Sequence, residues 1–232
     1  MIDHRFFLED KRSLRLVVLG KRELNGDSTD PAFIRSRVSS LSSVPEEDIY
    51  ILNQEHGTVS RDTRDIAGLE IPNGDAWITT EPRKVLVVKT ADCMPIFFWT
   101  GRPALVGLIH SGWKGTLAGI TEKTLDAARK KYQIDLELVH FYLGPYATGR
   151  HYEVGEDVAS QFRNEVPNSL KPGPEEGKFL LEQKIFLTER IKKLGIQPFL
   201  ETAGVCTMAE GSKFFSHRKG DTGRNLNCIW LE

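Results

Sequence analysis

Residues 74–114 read GDAWITTEPRKVLVVKTADCMPIFFWTGRPALVGLIHSGWK, and they decide the fold. They contain two short apolar runs, VLVV at 85–88 and ALVGLI at 104–109. Runs of this length, rich in β-branched residues and bounded by Gly, Pro or Thr, are typical of buried strands. Cys93 follows the first run and His110 follows the second. Both reactive side chains are therefore predicted to lie where a strand meets a turn, the position at which functional sites are commonly built.

A third reactive side chain lies upstream in the same kind of setting. The apolar run 49–52 is followed by a polar cluster that contains His56. One Cys and two His can form a zinc site whose fourth position is open to water or substrate, as in catalytic zinc sites. The spacings of 37 and 17 residues exclude a compact zinc finger, so the fold itself has to assemble such a site.

The same three residues allow two other interpretations. Cys93 could be a nucleophile with His110 as its base, and metal content would separate this chemistry from the zinc interpretation. All three side chains could instead be structural, since free cysteines and partly buried histidines are common in protein cores.

The composition favours a soluble protein that handles a small molecule. The chain has 232 residues without a linker rich in Ser, Gly or Pro, which predicts a single domain over 1–232. The formal net charge is -1, so charge gives no support to nucleic-acid or membrane-surface binding. Three cysteines argue against a secreted disulfide scaffold, and no apolar run approaches the ~20 residues of a membrane-spanning helix. We expect a cytoplasmic protein.

The remaining apolar patterns predict strands alternating with helices. Strands are expected over 14–19, 49–52, 74–80, 85–88, 104–109, 136–143, 198–202 and 228–231. Helices are expected over 31–40, 116–132, 156–162 and 180–194, and loops over 61–73, 146–155 and 167–177. No element is expected before residue 14.

Four charged residues are candidates for contact with a substrate. Lys114 lies at the start of a predicted helix, where free backbone N–H groups favour an anion, although a solvated turn lysine has the same pattern. Arg218 and Arg224 lie in the basic segment 214–224, and Arg218 is the first choice for an anionic group. Asp75 could be a satisfied turn residue or a carboxylate directed into the site.

Five motifs occur in an order that resembles the YfiH/YlmD family. They are NQEHG (53–57), TADCMP (90–95), HSGWKG (110–115), YEVG (152–155) and FSHR followed by TGR (215–218 and 222–224). Members of this family have been described as laccase-domain or polyphenol-oxidase-like proteins, and as purine nucleoside phosphorylases with adenosine deaminase activity. The similarity extends from about residue 49 to residue 232.

The resemblance implies an α/β (α+β) fold, with three layers around mixed β-sheet and duplicated strand-helix units. It also implies a zinc site with His56, Cys93 and His110 as ligands, the trio that their chemistry suggests independently. Copper is the other metal that the family description allows. Asp75 and Arg218 match residues of the family pocket, and we assign them catalytic roles.

We assign Gln54, Lys114 and Arg224 to substrate binding on the same resemblance. The chain departs from the family pattern at several positions, which affects the expected substrate preference. Glu55 stands where the family has Val, Lys114 replaces an Arg and loses its bidentate fork, and Arg-His at 150–151 replaces a frequent pair of cysteines.

The function that the resemblance implies is that of a zinc-dependent purine nucleoside phosphorylase with adenosine deaminase activity. Such an enzyme is a glycosyltransferase and a hydrolase, and its partners are phosphate and a purine nucleoside: adenosine, inosine, guanosine or methylthioadenosine.

Three alternatives are open. A copper-dependent polyphenol oxidase is the older family description, but multicopper oxidation needs several histidine clusters, and the chain has six His with no His-x-His pair. A Cys-His hydrolase acting on a cell-wall precursor would use the same residues as the zinc site. A binding protein with a structural metal is the nonenzymatic alternative.

Overall fold

The computed structural model of the protein describes residues 1–196 and 200–232. The helices in this part of the chain are α1 (Pro31–Ser42), α2 (Trp113–Leu117), α3 (Ile120–Tyr132), α4 (Glu156–Glu165) and α5 (Gln183–Lys192). The strands are β1 (Ile2–Phe7), β2 (Ser13–Leu19), β3 (Ile49–Ile51), β4 (Ser60–Asp62), β5 (Ala76–Thr79), β6 (Val85–Thr90), β7 (Met94–Gly101), β8 (Ala104–Ser111), β9 (His140–Leu143), β10 (Glu153–Gly155), β11 (Leu170–Pro172), β12 (Lys178–Leu181), β13 (Leu200–Thr202) and β14 (Asn225–Leu231). None of the described helices has both the length and the apolar character needed to cross a membrane.

The described strands form three sheets. The five-stranded sheet has the order β1-β2-β14-β6-β3, and the six-stranded sheet has the order β13-β9-β7-β8-β5-β4. Both sheets are mixed: β3 runs parallel to β6, β4 to β5 and β13 to β9, while the other neighbours are antiparallel. The third sheet, β10-β12-β11, is antiparallel. A late strand of the chain, β14, therefore lies in the middle of the five-stranded sheet.

The two large sheets face each other across a shared apolar core. In β6, Leu86 and Val88 enter this core together with Phe97 of β7, whereas Val85 and Val87 point to the opposite face and pack with α1. This division follows from the period of two that strand side chains have. Helices α3 and α5 pack on the outer face of the six-stranded sheet.

The mixed α/β class predicted from the sequence is confirmed. The large sheets and their helices stack in four layers in the described part of the chain, one more than the three expected. The reason is that the sheets pack directly on each other, so that each keeps an outer face for helices to cover.

Six of the described strands, β1, β4, β7, β10, β11 and β12, are not predicted from the sequence, and β1 and β7 are the longest of them. In β1, Ile2 and Phe6 are partly buried while charged residues between them are exposed, as suits a short strand at a sheet edge. In β7 almost every residue is buried, because both of its faces are covered, and the alternation that marks a strand is absent. The apolar residues that follow Cys93 therefore form a buried strand, β7.

Several predicted elements differ in extent. The helix expected over 116–132 is interrupted at Gly119, whose φ of 81° is incompatible with a helix, and forms α2 and α3. The helix expected over 180–194 begins as β12 and continues as α5, and a turn of 3₁₀ helix (Leu136–Leu138) precedes β9. The strand expected over 198–202 is described as β13, while its residues 198 and 199 lie outside the described residues. The loop expected over 167–177 contains β11.

Candidate metal centre and its cavity

His56, Cys93 and His110 come together at neighbouring ends of the two large sheets. His56 lies in the turn after β3, Cys93 in the connection from β6 to β7, and His110 in β8. One candidate ligand atom from each residue lies within 4.8 Å of the others, and the two imidazole rings meet edge to face with centroids 4.7 Å apart. His110 is buried, Cys93 is half-buried and His56 is exposed. The cluster is thus anchored in the core on one side and opens outward on the other.

Asp75 connects the two histidine segments. Its buried carboxylate pairs with His110 Nδ1 at 2.8 Å and accepts hydrogen bonds from the backbone N–H of His56 at 3.0 Å and of Gly57 at 2.7 Å. The bond to His56 supports a φ of 60°, which few non-glycine residues adopt. Burial raises the pKa of this carboxyl, but the hydrogen bonds from His110, Gly57 and His56 outweigh burial and hold the pKa below its usual value. As an anion, Asp75 keeps the proton on His110 Nδ1 and leaves Nε2 for a metal.

Gly112 provides the space that the cluster needs. A Cβ at this position would lie 2.8 Å from His56 Cδ2 and 3.0 Å from Cys93 Sγ. Any larger residue would therefore displace two of the three candidate ligands, because carbon atoms do not approach other heavy atoms this closely.

Cys93 and His110 shift each other's protonation in the absence of a metal. Burial raises the pKa of the Cys93 thiol, but the charge of His110 and hydrogen bonds from both histidines lower it below its ordinary value. Burial lowers the pKa of His110, but Cys93 and the hydrogen bond to Asp75 raise it above its ordinary value. The pair therefore favours a thiolate beside an imidazolium, and a thiolate is the form of Cys that binds metals.

The cluster opens into a cavity of about 380 Å³, which we call the trio cavity. It is lined by Thr29, Asn53, Gln54, His56, Lys89, Thr90, Ala91, Cys93, His110, His217 and Arg224. Of the residues assigned to substrate binding from the sequence, Gln54 and Arg224 line this cavity. Lys89, Thr29 and His217 also line the cavity and are not among the candidates predicted from the sequence. Lys89 gives no sequence signal because it continues the strand that contains the VLVV run.

Lys114 lies apart from the trio cavity. It is exposed in the first turn of α2, with its Nζ 5.6 Å from the centre of the Trp113 ring. It lines a separate cavity with Gln161 and Glu165. The structure therefore does not bring Lys114 together with the other candidate site residues.

Arg218 lies against the ring of Tyr152, with its Cζ 5.1 Å from the ring centre. Its backbone N–H donates to Asp92 Oδ2 at 2.8 Å, and its Nη1 donates to the carbonyl of Glu153 at 3.0 Å. Burial and then the charge of Cys93 raise the pKa of Tyr152 to about 12. Arg218 and Tyr152 lie outside the lining of the trio cavity.

The donor set fits a transition metal. Two imidazoles and one thiolate suit zinc and copper, whereas magnesium and calcium prefer oxygen ligands. Three protein donors beside an open cavity correspond to the arrangement of catalytic zinc sites, in which a fourth position is left for water or substrate. A His-Cys-His cluster that can hold a metal is therefore present, and Asp75 supplies the supporting hydrogen bond that metal-binding histidines commonly have.

Fold and cluster together define a class: mixed α/β proteins with a His-Cys-His cluster at the ends of two facing sheets. The family model described as "Multi-copper polyphenol oxidoreductase laccase" matches residues 25–232, and the chain belongs to this family.

Two curated relatives are named purine nucleoside phosphorylase. The protein from Haemophilus influenzae is 35% identical over 163 residues, which cover 68% of this chain and 65% of the relative. The protein from Xylella fastidiosa (strain Temecula1) is 29% identical over 205 residues, which cover 85% of this chain and 77% of the relative. The match to the Haemophilus protein therefore spans slightly less than two thirds of its length.

Two solved structures share the fold. Bacillus licheniformis YfiH superposes with a TM-score of 0.83 at 23% identity, covering 96% of this chain and 94% of that protein. YlmD from Geobacillus stearothermophilus superposes with a TM-score of 0.78 at 26% identity, covering 95% of this chain and 91% of that protein. The predicted resemblance to the YfiH/YlmD family is confirmed.

Proposed function

We propose that the protein is a zinc-dependent purine nucleoside phosphorylase with adenosine deaminase as a second activity. The observation that carries the proposal is the His-Cys-His cluster at the wall of a cavity whose other charged lining residues are cationic. A cavity of this kind suits the two substrates of phosphorolysis, a neutral nucleoside and an anionic phosphate. The name shared by the two curated relatives supports the same pair of substrates.

We propose His56, Cys93 and His110 as the zinc ligands. When bound, zinc would polarise a substrate oxygen or activate a water, and deamination of adenosine needs the second role. Zinc is preferred over copper because multicopper oxidases use several metal clusters, whereas the described residues provide one group of three or more potential ligands.

The remaining candidate residues have different roles in this proposal. Phosphorolysis breaks the bond between ribose C1′ and the purine nitrogen and forms one between C1′ and a phosphate oxygen. We propose that Arg218, which lies beside Tyr152 and outside the lining of the trio cavity, stabilises the negative charge that develops during this transfer. Asp75 acts through His110 as a positioning residue, because its carboxylate oxygens already accept bonds from His110, His56 and Gly57. The sequence alone also allows a direct contact of Asp75 with the nucleoside, and the proposed positioning role differs from that expectation.

Gln54 and Arg224 are proposed as substrate-binding residues because they line the trio cavity. Lys114 receives no substrate contact in this proposal, since it faces another cavity. Adenosine, inosine, guanosine and methylthioadenosine are the proposed substrates.

The test combines metal content with product analysis on the same samples. Wild-type protein, Cys93→Ala and the control Cys206→Ala are compared for bound zinc and for hypoxanthine released from inosine with and without phosphate. Cys206 is a suitable control because it is also a half-buried free thiol, but it lies outside the trio cavity. We expect about one zinc per chain and phosphate-dependent release for wild type and Cys206→Ala, and neither for Cys93→Ala.

Zinc without any nucleoside turnover would contradict the proposed activity. Bound copper together with phenol oxidation would favour the oxidase that the family description names.

A cysteine hydrolase is the second candidate, because the Cys93 thiol and the His110 imidazole favour an ion pair without metal. The hydrolase would keep its activity after complete removal of metal by a chelator, whereas the phosphorylase would lose it.

A further inference from the structure

Lys89 is a half-buried cation whose charge the described residues leave unpaired. It lies near the carboxyl end of β6 and lines the trio cavity. Within residues 1–196 and 200–232, its hydrogen bonds are those of its backbone, and its Nζ belongs to none of the ion pairs. A lysine that is partly removed from water without a counter-ion loses hydration, and a ligand can compensate for that loss.

The position of Lys89 is fixed by the side chain of Gln54. Gln54 Nε2 donates to the Lys89 carbonyl at 2.8 Å, and the Lys89 backbone N–H donates to Gln54 Oε1 at 2.8 Å. These two bonds continue the pairing of β3 with β6 beyond the last backbone pair, Ile51 with Val87. The amide of Gln54 therefore holds the backbone of Lys89 in place at the wall of the trio cavity.

Arg224 lies at the same end of the five-stranded sheet. It directly precedes β14, where Leu226 pairs with Lys89 of the neighbouring strand. Its Nη1 donates to the carbonyls of Thr222 and Gly223 at 2.8 and 2.9 Å, and its backbone N–H donates to Ser28 Oγ at 2.6 Å. Its Nε and Nη2 form no hydrogen bond with the described residues, so these donors are available to a ligand in the cavity.

Apart from the candidate metal ligands, the charged residues that line the trio cavity are cationic. The described residues that line the trio cavity include Lys89, Arg224 and three histidines, and none of them is a carboxylate. Burial and then the charge of Arg224 lower the pKa of Lys89. Two cations that share a cavity repel each other, and a bound anion offsets this repulsion and compensates for the hydration lost on burial.

We propose that Lys89 and Arg224 form a subsite for a phosphate group in the trio cavity. The identity of the bound phosphate as the one that attacks the nucleoside rests on the proposed function. It places phosphate binding at Lys89, which lines the same cavity as the metal ligands, whereas Lys114 lines another cavity. The same chemistry would also hold the phosphate of a nucleoside 5′-monophosphate, so inorganic phosphate and the ester are the two possible sources.

The test measures binding directly, so that it does not depend on turnover. Inorganic phosphate and, separately, inosine 5′-monophosphate are titrated calorimetrically into the zinc-loaded wild type and Lys89→Met. The control is Lys84→Met, which removes another half-buried lysine at the opposite end of β6, where it pairs with Asp48. We expect Lys89→Met to weaken binding by roughly 10- to 100-fold, as is usual for loss of a charged hydrogen bond, and Lys84→Met to leave it unchanged.

Lys89→Arg is a second variant that keeps the positive charge. Its affinity for phosphate should lie within a few fold of the wild type, which would show that the effect of Lys89→Met comes from loss of charge and not from misfolding. Lys89-dependent binding of inorganic phosphate supports the attacking phosphate as the ligand, and Lys89-dependent binding of the nucleotide alone supports the ester. If phosphate binds in a Lys89-dependent manner but inosine is not cleaved, the subsite stands and the proposed function falls. Equal binding of both ligands to wild type and Lys89→Met overturns the subsite.

Steady-state kinetics provide a second readout if inosine is cleaved. Lys89→Met should raise the KM for phosphate by a similar factor and leave the KM for inosine and the zinc content unchanged. A change confined to the KM for inosine would contradict the proposal.

Discussion

The carboxylate of Asp75 illustrates how individual residues determine the candidate metal centre. Its two oxygens accept hydrogen bonds from three donors: His110 Nδ1 and the backbone N–H groups of His56 and Gly57. An asparagine amide cannot replace it, because its NH₂ group would face a donor in either orientation. The charge and the two acceptor oxygens are both required.

We therefore expect Asp75→Asn to weaken zinc binding by roughly 10- to 100-fold, the usual effect of losing a supporting residue behind a metal-binding histidine. Competition with a chromogenic chelator measures the change. Asp62→Asn is the matched control, since Asp62 is also buried but bonds Arg64 and Tyr132 rather than the cluster. Unchanged zinc affinity in Asp75→Asn would show that Asp75 has no part in positioning His110.

Cys93 and Cys228 should differ in reactivity, because their surroundings shift the pKa of the two thiols in opposite directions. Burial raises the pKa of Cys228 to about 12, whereas the histidines lower that of Cys93 to about 6 despite its burial. In the metal-free protein, iodoacetamide should modify Cys93 at pH 7, and the rate should fall as the pH drops through about 6, because the thiolate is the reactive form. Cys228 should remain unmodified.

Peptide mass spectrometry after labelling at a series of pH values identifies the modified thiols. The zinc-loaded protein is the control, since a bound metal should protect Cys93. Modification of Cys93 that begins only near pH 9 would mean that the histidines do not stabilise its thiolate.

At the scale of elements, the β7–β8 pair holds His110 in register with the residues that directly follow Cys93. Phe98 of β7 stands opposite Gly107 of β8, and a Cβ at Gly107 would lie 2.1 Å from the Phe98 ring. The ring therefore occupies the space above the glycine, and the pair depends on the absence of a side chain there.

Gly107→Ala should lower the free energy of unfolding by about 1–3 kcal/mol, the usual cost of overpacking a core. Urea denaturation measures this difference. Gly101→Ala is the control from the same strand pair, because its Cβ would have no neighbour closer than 3.7 Å. A loss of stability no larger than that of Gly101→Ala would indicate that the Phe98 ring can move aside.

The sequence predicts the strand ends at His56, Cys93 and His110 because apolar runs followed by polar turns are local patterns. It does not predict the participation of Lys89, because neither the Gln54 bond nor the pairing with β14 is a local property. The helix proposed to begin near Lys114 illustrates the opposite case. The local pattern correctly predicts a helix near Lys114, but in the folded protein Lys114 lines a different cavity.

At the scale of the whole molecule, the candidate ligands come from segments that belong to different sheets. His56 follows a strand of the five-stranded sheet, His110 lies in the six-stranded sheet, and Cys93 lies between them. A metal held by all three would link the two sheets, and the unfolded chain would not offer the same set of ligands. Metal binding should therefore stabilise the folded state.

Removal of zinc by a chelator should lower the melting temperature of the wild type. The stabilisation by a bound ion is about 4 kcal/mol when free zinc exceeds the Kd 1,000-fold. Cys93→Ala is the control and should melt at the same temperature with and without chelator. An equal decrease in both proteins would mean that the chelator acts elsewhere than on the cluster.

The central position of β14 has a consequence for synthesis of the protein. Because β14 separates β2 from β6, the five-stranded sheet remains in two unjoined parts until residue 231 has emerged from the ribosome. Lys89 also gains its neighbour Arg224 only at that stage. A nascent chain that stalls before this strand carries every candidate metal ligand, yet it has neither a complete sheet nor a finished cavity. The site can therefore mature only after β14 has been synthesised, and chains truncated before this strand should be inactive.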